Sequence, residues 1–268
     1  MKKLLTCLLG AGLLFTMSGC SKSATDEALE ATANGINHMQ NMESASYQVG
    51  MKMGFMNESL MISFHGGYLE QDGKLNLDMI VDVNDANVSN TLAKAYMKDD
   101  NLFIDMDDAK IKLPLGELLS DMSGETATTN QSSEKMSAKE LIPYVTKGTK
   151  KDNEVVLTLE NKAIEEYLQE SLEKQSATSG YDAKVKVESA IATLKFENEF
   201  IVDIKVDLDT NIDMNLGSGT DMTTNMKFTI FSTFTDINQN KEVNFPVLGE
   251  EYKETSIWEL LSLLGQEL

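Results

Sequence analysis

The sequence predicts an α+β protein built on one large, strongly curved antiparallel sheet with helices against one face. Two long blocks of alternating apolar and polar residues predict the sheet, and segments with helical spacing flank and separate these blocks. Two separate α+β domains would also produce this order. A single domain is favoured because neither half alone carries enough helix to cover its own sheet.

The first block begins after a predicted helix over residues 25–42, in which Leu29, Ala33 and Ile36 share one face. From Tyr47 onward, apolar residues recur at every second position instead of about every 3.6 residues, which is typical of strands with one face exposed to solvent. Strands are predicted at 47–55, 60–64 and 75–83, with a hairpin over 95–106 around an Asp-Asp-Asn turn.

The middle of the chain separates the two blocks. It contains a short helix within 113–122, a Ser/Thr-rich segment at 123–135 that we expect to be a mobile loop, and a capping-box pattern at Ser137 and Glu140. Next come a predicted strand at 155–159 and a predicted helix capped by Asn161. Glu165 and Glu166 are expected on the solvent-exposed side of this helix. The second block predicts strands at 200–216 and 226–234, a turn at 236–240 and a helix from Ser256.

The N-terminus has the pattern of a secretory signal. Lys2 and Lys3 precede an apolar run, residues 4–15, that is shorter than the ~20 residues of a membrane-spanning helix. Residues 17–20, Met-Ser-Gly-Cys, resemble a bacterial lipobox. The resemblance implies that residues 1–19 are removed and that Cys20 carries a diacylglyceryl group, with 20–26 as a lipidated tether to the extracytoplasmic face of the cell membrane. An ordinary signal followed by an unrelated cysteine is the alternative.

Composition excludes several classes of function. The formal net charge is −20, and all 23 basic residues are lysine, so the bidentate contacts to phosphate that arginine favours are absent. This acidic surface argues against nucleic acid as a partner. Since Cys7 would leave with the signal, we expect the mature chain to have no thiol for a disulfide, a zinc site or a cysteine nucleophile. We also expect no cofactor.

The lipobox, the order of elements, the stretch "YMKDDNLFIDM" at 96–106 and the stretch "FTDINQNKEVNFP" at 234–246 together resemble LolA-like and LppX-like lipoproteins. The resemblance covers residues 27–268. It implies a half or unclosed β-barrel with helices packed on the concave face, and an interior that holds acyl chains or lipoprotein anchors.

Methionine is unusually frequent, with sixteen in the chain. Six of them occupy predicted strand positions in phase with apolar neighbours: Met51, Met53, Met79, Met106, Met214 and Met226. Because methionine adapts to irregular shapes, we hypothesise that these six line a cavity for a flexible hydrophobic ligand. A core packed with methionine against the helices is the alternative.

Other candidate sites are weaker. Asp207 and Asp209 share one predicted strand face, as an acid–base pair would, but acids on such faces are usually solvated. The stretches at 82–87 and 236–241 begin like EF-hand loops and lack the glycine at position six, so they predict hairpin turns and no metal site. His38 and His65 have no evident catalytic partners. We therefore expect a protein that is not an enzyme.

These patterns predict a membrane-anchored extracytoplasmic lipoprotein that binds a lipid or other hydrophobic ligand in a Met-rich concave cavity. The alternative is a non-catalytic envelope scaffold with a filled core that docks a protein partner.

Overall fold

A computed structural model describes residues 26–55, 58–71, 74–85, 89–99, 101–106, 109–114, 135–179, 182–215, 221–239, 243 and 245–255. The predictions for the signal at 1–19, for Cys20 and its tether before Asp26, for the loop before residue 135 and for the helix from Ser256 lie outside these residues.

Twelve strands in the described part of the chain form one sheet, in the order β12-β6-β5-β4-β3-β2-β1-β11-β10-β9-β8-β7. The strands are β1 (Ser44–Phe55), β2 (Glu58–Gln71), β3 (Lys74–Asn84), β4 (Ser89–Lys98), β5 (Asn101–Met106), β6 (Ala109–Pro114), β7 (Val145–Lys151), β8 (Glu154–Leu159), β9 (Asp182–Glu197), β10 (Phe200–Asn215), β11 (Asp221–Thr235) and β12 (Lys253–Glu254). The described pairings are antiparallel apart from the two-residue pairing of β12 with β6. The ends of the sheet, β12 and β7, do not meet, which confirms the predicted large unclosed sheet.

Three described α-helices accompany the sheet: α1 (Asp26–Met39), α2 (Ala138–Leu141) and α3 (Asn161–Ser179). The predicted capping box is present at α2, where the Ser137 backbone N–H donates to Glu140 Oε2 at 2.7 Å. A 3-10 turn, Ile142–Tyr144, follows directly. No helix in the described residues is both long enough and apolar enough to cross a bilayer.

Helix α1 packs against β7, β8 and β10 through the face that its spacing predicts. Leu29, Ala33 and Ile36 are all buried there, in one cluster with residues of the sheet. Helix α3 packs against β9, where Ile164 and Leu168 contact a second buried cluster. The helices therefore cover the β7–β10 end of the sheet.

Strand β9 was missing from the sequence prediction because its alternation changes phase. Val187 and Ala190 both belong to the same buried cluster although they are three residues apart. The pairing with β10 shifts register at this point, as a β-bulge does. Strand β7 was also missed, because its sequence, VTKGTKK, carries little apolar alternation.

The prediction that Glu165 lies on the solvent-exposed side of α3 was wrong. Its Oε2 accepts a hydrogen bond from the Val187 backbone N–H at 3.1 Å, beside the bulge in β9. Asn161 is the first residue of α3, and its side-chain amide donates to the Glu188 carbonyl at 2.9 Å. Both polar side chains thus attach the helix to the irregular part of the strand.

The C-terminal described segment, 245–255, packs on β4, β5 and β6. Phe103 and Tyr252 meet edge to face with ring centroids 5.3 Å apart, and Lys98 Nζ lies 5.1 Å from the centre of the Phe245 ring. The segment ends in β12, which pairs with β6. Among the described residues after the turn at 236–239, Val243, Phe245 and Val247 are not part of a strand.

Candidate functional site

The register of the sheet places most of its large apolar side chains on one face, which we call the apolar face. Directly paired residues of neighbouring strands lie on the same face, and alternate residues along a strand do so too. Met51, for example, pairs with Ile62 on one side and Ile230 on the other, and Ile230 pairs in turn with Val206. The opposite face, with Asp203, Asp207 and their neighbours, is the polar face.

The central part of the apolar face is partly exposed. Five adjacent strands, β4, β3, β2, β1 and β11, contribute to this central apolar patch, which consists of Val49, Met51, Met53, Leu60, Ile62, Phe64, Met79, Val81, Val83, Ala93, Met226, Phe228 and Ile230. Ile230 is 41% exposed. The patch lies beside the part of the sheet that α1 and α3 cover, because those helices pack on β7 to β10.

Four of the six predicted methionines, Met51, Met53, Met79 and Met226, lie in the central apolar patch. Met106 is on the same face but packs with Ile111 and Leu113 of β6 in a separate small cluster. Met214 pairs with Ala183 of β9, and its side chain lies outside the described residues.

Sequence reasoning singled out methionine and missed the other members of the patch. Phe64, Phe228 and Ile230 alternate in the same phase as the methionines, and that alternation is visible in the sequence. What the sequence lacks is the pairing of β1 with β11, which brings segments about 180 residues apart side by side.

On the polar face, the acids of β10 take part in cross-strand hydrogen bonds. Thr229 Oγ1 donates to Asp207 Oδ1 at 2.8 Å, and Asn225 Nδ2 donates to Asp209 Oδ1 at 2.7 Å. Burial by itself would raise the pKa of Asp207, but hydrogen bonds from Lys205 and Thr229 and the charge of Lys205 lower the pKa overall. This arrangement stabilises the pairing of β10 with β11.

The histidines each face one carboxylate. His65 Nδ1 lies 3.3 Å from Asp82 Oδ2, and His38 Nε2 lies 3.6 Å from Glu199 Oε2. Within the described ranges, no group of three or more His, Cys, Asp and Glu side chains is placed to hold a metal ion.

The described parts of the two EF-hand-like stretches lie in different settings. The first follows Asp82 into the connection between the antiparallel strands β3 and β4, as the hairpin prediction required. The second is a turn but not a hairpin, because β11 pairs with β1 and β10. Asn238 Oδ1 there accepts hydrogen bonds from the Glu43 and Ser44 backbone N–H groups at 2.7 and 3.3 Å.

Two tyrosines stand on the apolar face at the margin of the central patch. The Tyr47 hydroxyl donates to the Asp78 carbonyl at 3.0 Å. Tyr68 is 5% exposed, and its hydroxyl has no hydrogen-bond partner in the described structure. Burial raises the pKa of both phenols well above the ordinary value, with the nearby acids Asp78 and Glu70 as the second causes for Tyr47 and Tyr68 respectively.

Neither a family model nor a curated protein matches the chain. Similar solved structures include the lipoprotein LppX of Mycobacterium tuberculosis, at 10% identity and a TM-score of 0.38, with 82% of this chain and 100% of that chain covered. LprF of Mycobacterium bovis is similar at 9% identity and a TM-score of 0.33, over 84% and 99% of the two chains. A DUF1329 family protein of Desulfovibrio piger follows at 7% identity and a TM-score of 0.24, over 82% and 96%. The lipoprotein LppX is thus among the similar structures, and its group is the one that the sequence resembles.

Proposed function

We propose that the protein is an extracytoplasmic lipoprotein, anchored to the cell membrane through a diacylglyceryl group on Cys20, that binds a lipid or other hydrophobic molecule on the central apolar patch. One observation supports the proposal: five adjacent strands carry partly exposed apolar side chains beside the part of the sheet on which the described helices pack.

The size of the patch suits a long acyl chain. Strands lie about 4.8 Å apart, so the span from β4 to β11 is about 19 Å wide. Each methylene removed from water contributes about 0.8 kcal/mol, and a sixteen-carbon chain gains roughly 10 kcal/mol before the costs of ordering are subtracted. Methionine side chains such as Met51 and Met53 adjust to a flexible chain at little cost. A polar anchor point is therefore not required for binding to occur.

The proposed anchor lies close in sequence to the described fold. Helix α1 begins at Asp26, six residues after Cys20, and Glu27 Oε1 lies 3.6 Å from Lys150 Nζ of β7. The β7 edge of the sheet is consequently the edge nearest to the start of the tether. Such a short tether would hold the apolar face within reach of membrane lipid.

A matched pair of substitutions tests the binding surface. Ile230 on the apolar face and Ile191 on the polar face are almost equally exposed, at 41% and 40%, and both lie inside long strands. In Ile230→Asp the new carboxylate would have to be desolvated beneath a bound acyl chain, which is costly. We expect this variant to bind dioleoylphosphatidylglycerol at least tenfold more weakly, and Ile191→Asp to bind as the wild type does.

The measurement is native mass spectrometry of the full chain in a nonionic detergent, titrated with the phospholipid. Circular dichroism of both variants checks that the sheet is retained. Equal losses in the two variants, or a wild type that takes up no lipid, would contradict the proposal. The second result would favour the filled-core scaffold that docks a protein partner.

A further inference from the structure

Helix α3 lies along a stretch of β9 whose outer edge pairs with no described strand, and its polar side chains bond the backbone there. We propose that α3 takes the place of a strand at this edge, and that it thereby prevents the β9 strands of two copies of the chain from pairing with each other. This blocking role is independent of the proposed lipid binding.

Strand β9 extends well beyond the strand that pairs with its outer side. It runs Asp182–Glu197, and β8 pairs with it only over 191–195 in the described part of the chain. On its other side, β10 pairs with it along nearly its whole length. The first half of β9 therefore has one edge whose backbone groups face no described strand. Such an edge is a template for pairing with another chain.

Gln169 of α3 bonds this edge as the backbone of a strand would. Its Nε2 donates to the Ala183 carbonyl at 3.1 Å, and its Oε1 accepts from the Val185 backbone N–H at 3.1 Å. A neighbouring strand would offer the same two groups, an amide N–H and a carbonyl oxygen. The side-chain amide thus satisfies one donor and one acceptor that a strand would otherwise pair.

The spacing of the polar side chains explains how a helix can follow a strand. Asn161, Glu165 and Gln169 are four residues apart, which is about 6 Å along a helix. Two residues of a strand span a similar distance, about 6.6 Å. Side chains at every fourth helical position therefore keep pace with the edge. Asn161 reaches the Glu188 carbonyl and Glu165 reaches the Val187 N–H, as described for the attachment of α3.

Without α3, this edge would suit a second copy of itself. The bulge beside Glu188 leaves 182–187 as regular strand, a length at which strands commonly pair. The charges of Asp182, Lys184, Lys186 and Glu188 sum to zero, so a copy of the same stretch meets no net repulsion there, in contrast to the net charge of −20 for the whole chain. The valines at 185 and 187 favour strand structure.

The test removes the polar contacts of α3 and measures self-association. The double variant Glu165→Leu, Gln169→Leu keeps residues that favour a helix but has neither hydrogen-bonding group. The full chain in nonionic detergent is measured by native mass spectrometry over a concentration series, prepared at about 0.15 M salt to screen the net charge. We expect the double variant to form dimers at concentrations at least tenfold lower than the wild type does.

Two controls share the helix. Lys162→Leu, Glu166→Leu changes two side chains that are 79% and 69% exposed and whose charged groups lie 3.8 Å from each other. This variant adds the same two leucines to α3 and should associate no more than the wild type. Glu165→Gln keeps an oxygen that can accept from the Val187 N–H, so it too should behave as the wild type.

Hydrogen exchange at the Val185 and Val187 amides measures whether the edge has been uncovered. In the double variant, held below the concentration at which it dimerises, both amides should exchange about two- to tenfold faster, the range for one net hydrogen bond. Faster exchange without dimers overturns the blocking role, and unchanged exchange overturns the contact itself. Equal dimerisation of the Lys162→Leu, Glu166→Leu variant also overturns the proposal. If circular dichroism shows that the double variant has lost its sheet, Gln169→Leu alone is measured and judged by the same results.

Discussion

Gly66 of β2 is the position at which a single methyl group should disturb the sheet most. A Cβ atom placed there would lie 2.0 Å from the carbonyl oxygen of Asp78 and 3.2 Å from the Cα of Met79, both backbone atoms of β3. No side-chain rotation relieves such a contact. Gly66→Ala would have to push β2 and β3 apart, and the same carbonyl of Asp78 accepts the hydrogen bond from Tyr47.

Two opposing contributions set the magnitude. Overpacking against a neighbour that cannot move costs about 1–3 kcal/mol, and the upper end applies because the contact is with backbone. Replacing glycine by alanine also restricts the unfolded chain, which stabilises the fold by about 0.4–1 kcal/mol. The net expectation is a loss of about 2 kcal/mol, or about 4–8 °C in melting temperature for a chain of this size.

Gly54 of β1 is the matched control. A Cβ atom there would meet its nearest neighbour, the Lys227 carbonyl oxygen, at 3.7 Å, which is an ordinary contact. Gly54→Ala should therefore raise the melting temperature by about 1–4 °C through the unfolded-state effect alone. Thermal unfolding followed by circular dichroism measures both shifts. A Gly66→Ala variant as stable as Gly54→Ala would refute the close approach of β2 and β3.

Two further predictions concern the polar face and the anchor. The pKa of Asp207 in the folded chain is below its ordinary value of 3.8, so its stabilising contribution is present above that pH and is lost as the pH falls through the lowered pKa. Asp207→Asn should cost about 0.5–1 kcal/mol at pH 7, a figure reduced for solvent screening, and the difference from wild type in melting temperature should shrink as the pH falls below 3.8; a pH-independent difference would argue against the charged interactions. Cys20→Ser should abolish incorporation of a palmitate analogue and release the chain from the membrane fraction, whereas Cys7→Ser should change neither, and label retained without Cys20 would exclude the proposed anchor.

Local patterns in the sequence were sufficient for much of the fold. The three- and four-residue spacing of Leu29, Ala33 and Ile36 predicted the buried face of α1, and these residues are buried in the structure. Alternation from Tyr47 predicted β1 and its apolar side. Both signals are encoded within a few residues, because the period of side chains along a helix or a strand is fixed by backbone geometry.

Prediction was poorest where the backbone departs from a regular period. The bulge near Glu188 shifts β9 by one residue, so an apolar pattern that continues in space is broken in sequence. Glu165 looked solvated because its position was judged from the helix alone, while its partner, the Val187 N–H, belongs to another element.

The sequence by itself determined that long strands of this chain have one apolar and one polar side, since the alternation of apolar and polar residues is a property of neighbouring positions. Only the tertiary structure decided which strands lie together and which part of the apolar face the helices cover. That choice depends on pairings such as β1 with β11 and on where α1 and α3 pack, and these are contacts between residues far apart in the chain. The partly exposed central apolar patch is a consequence of that packing.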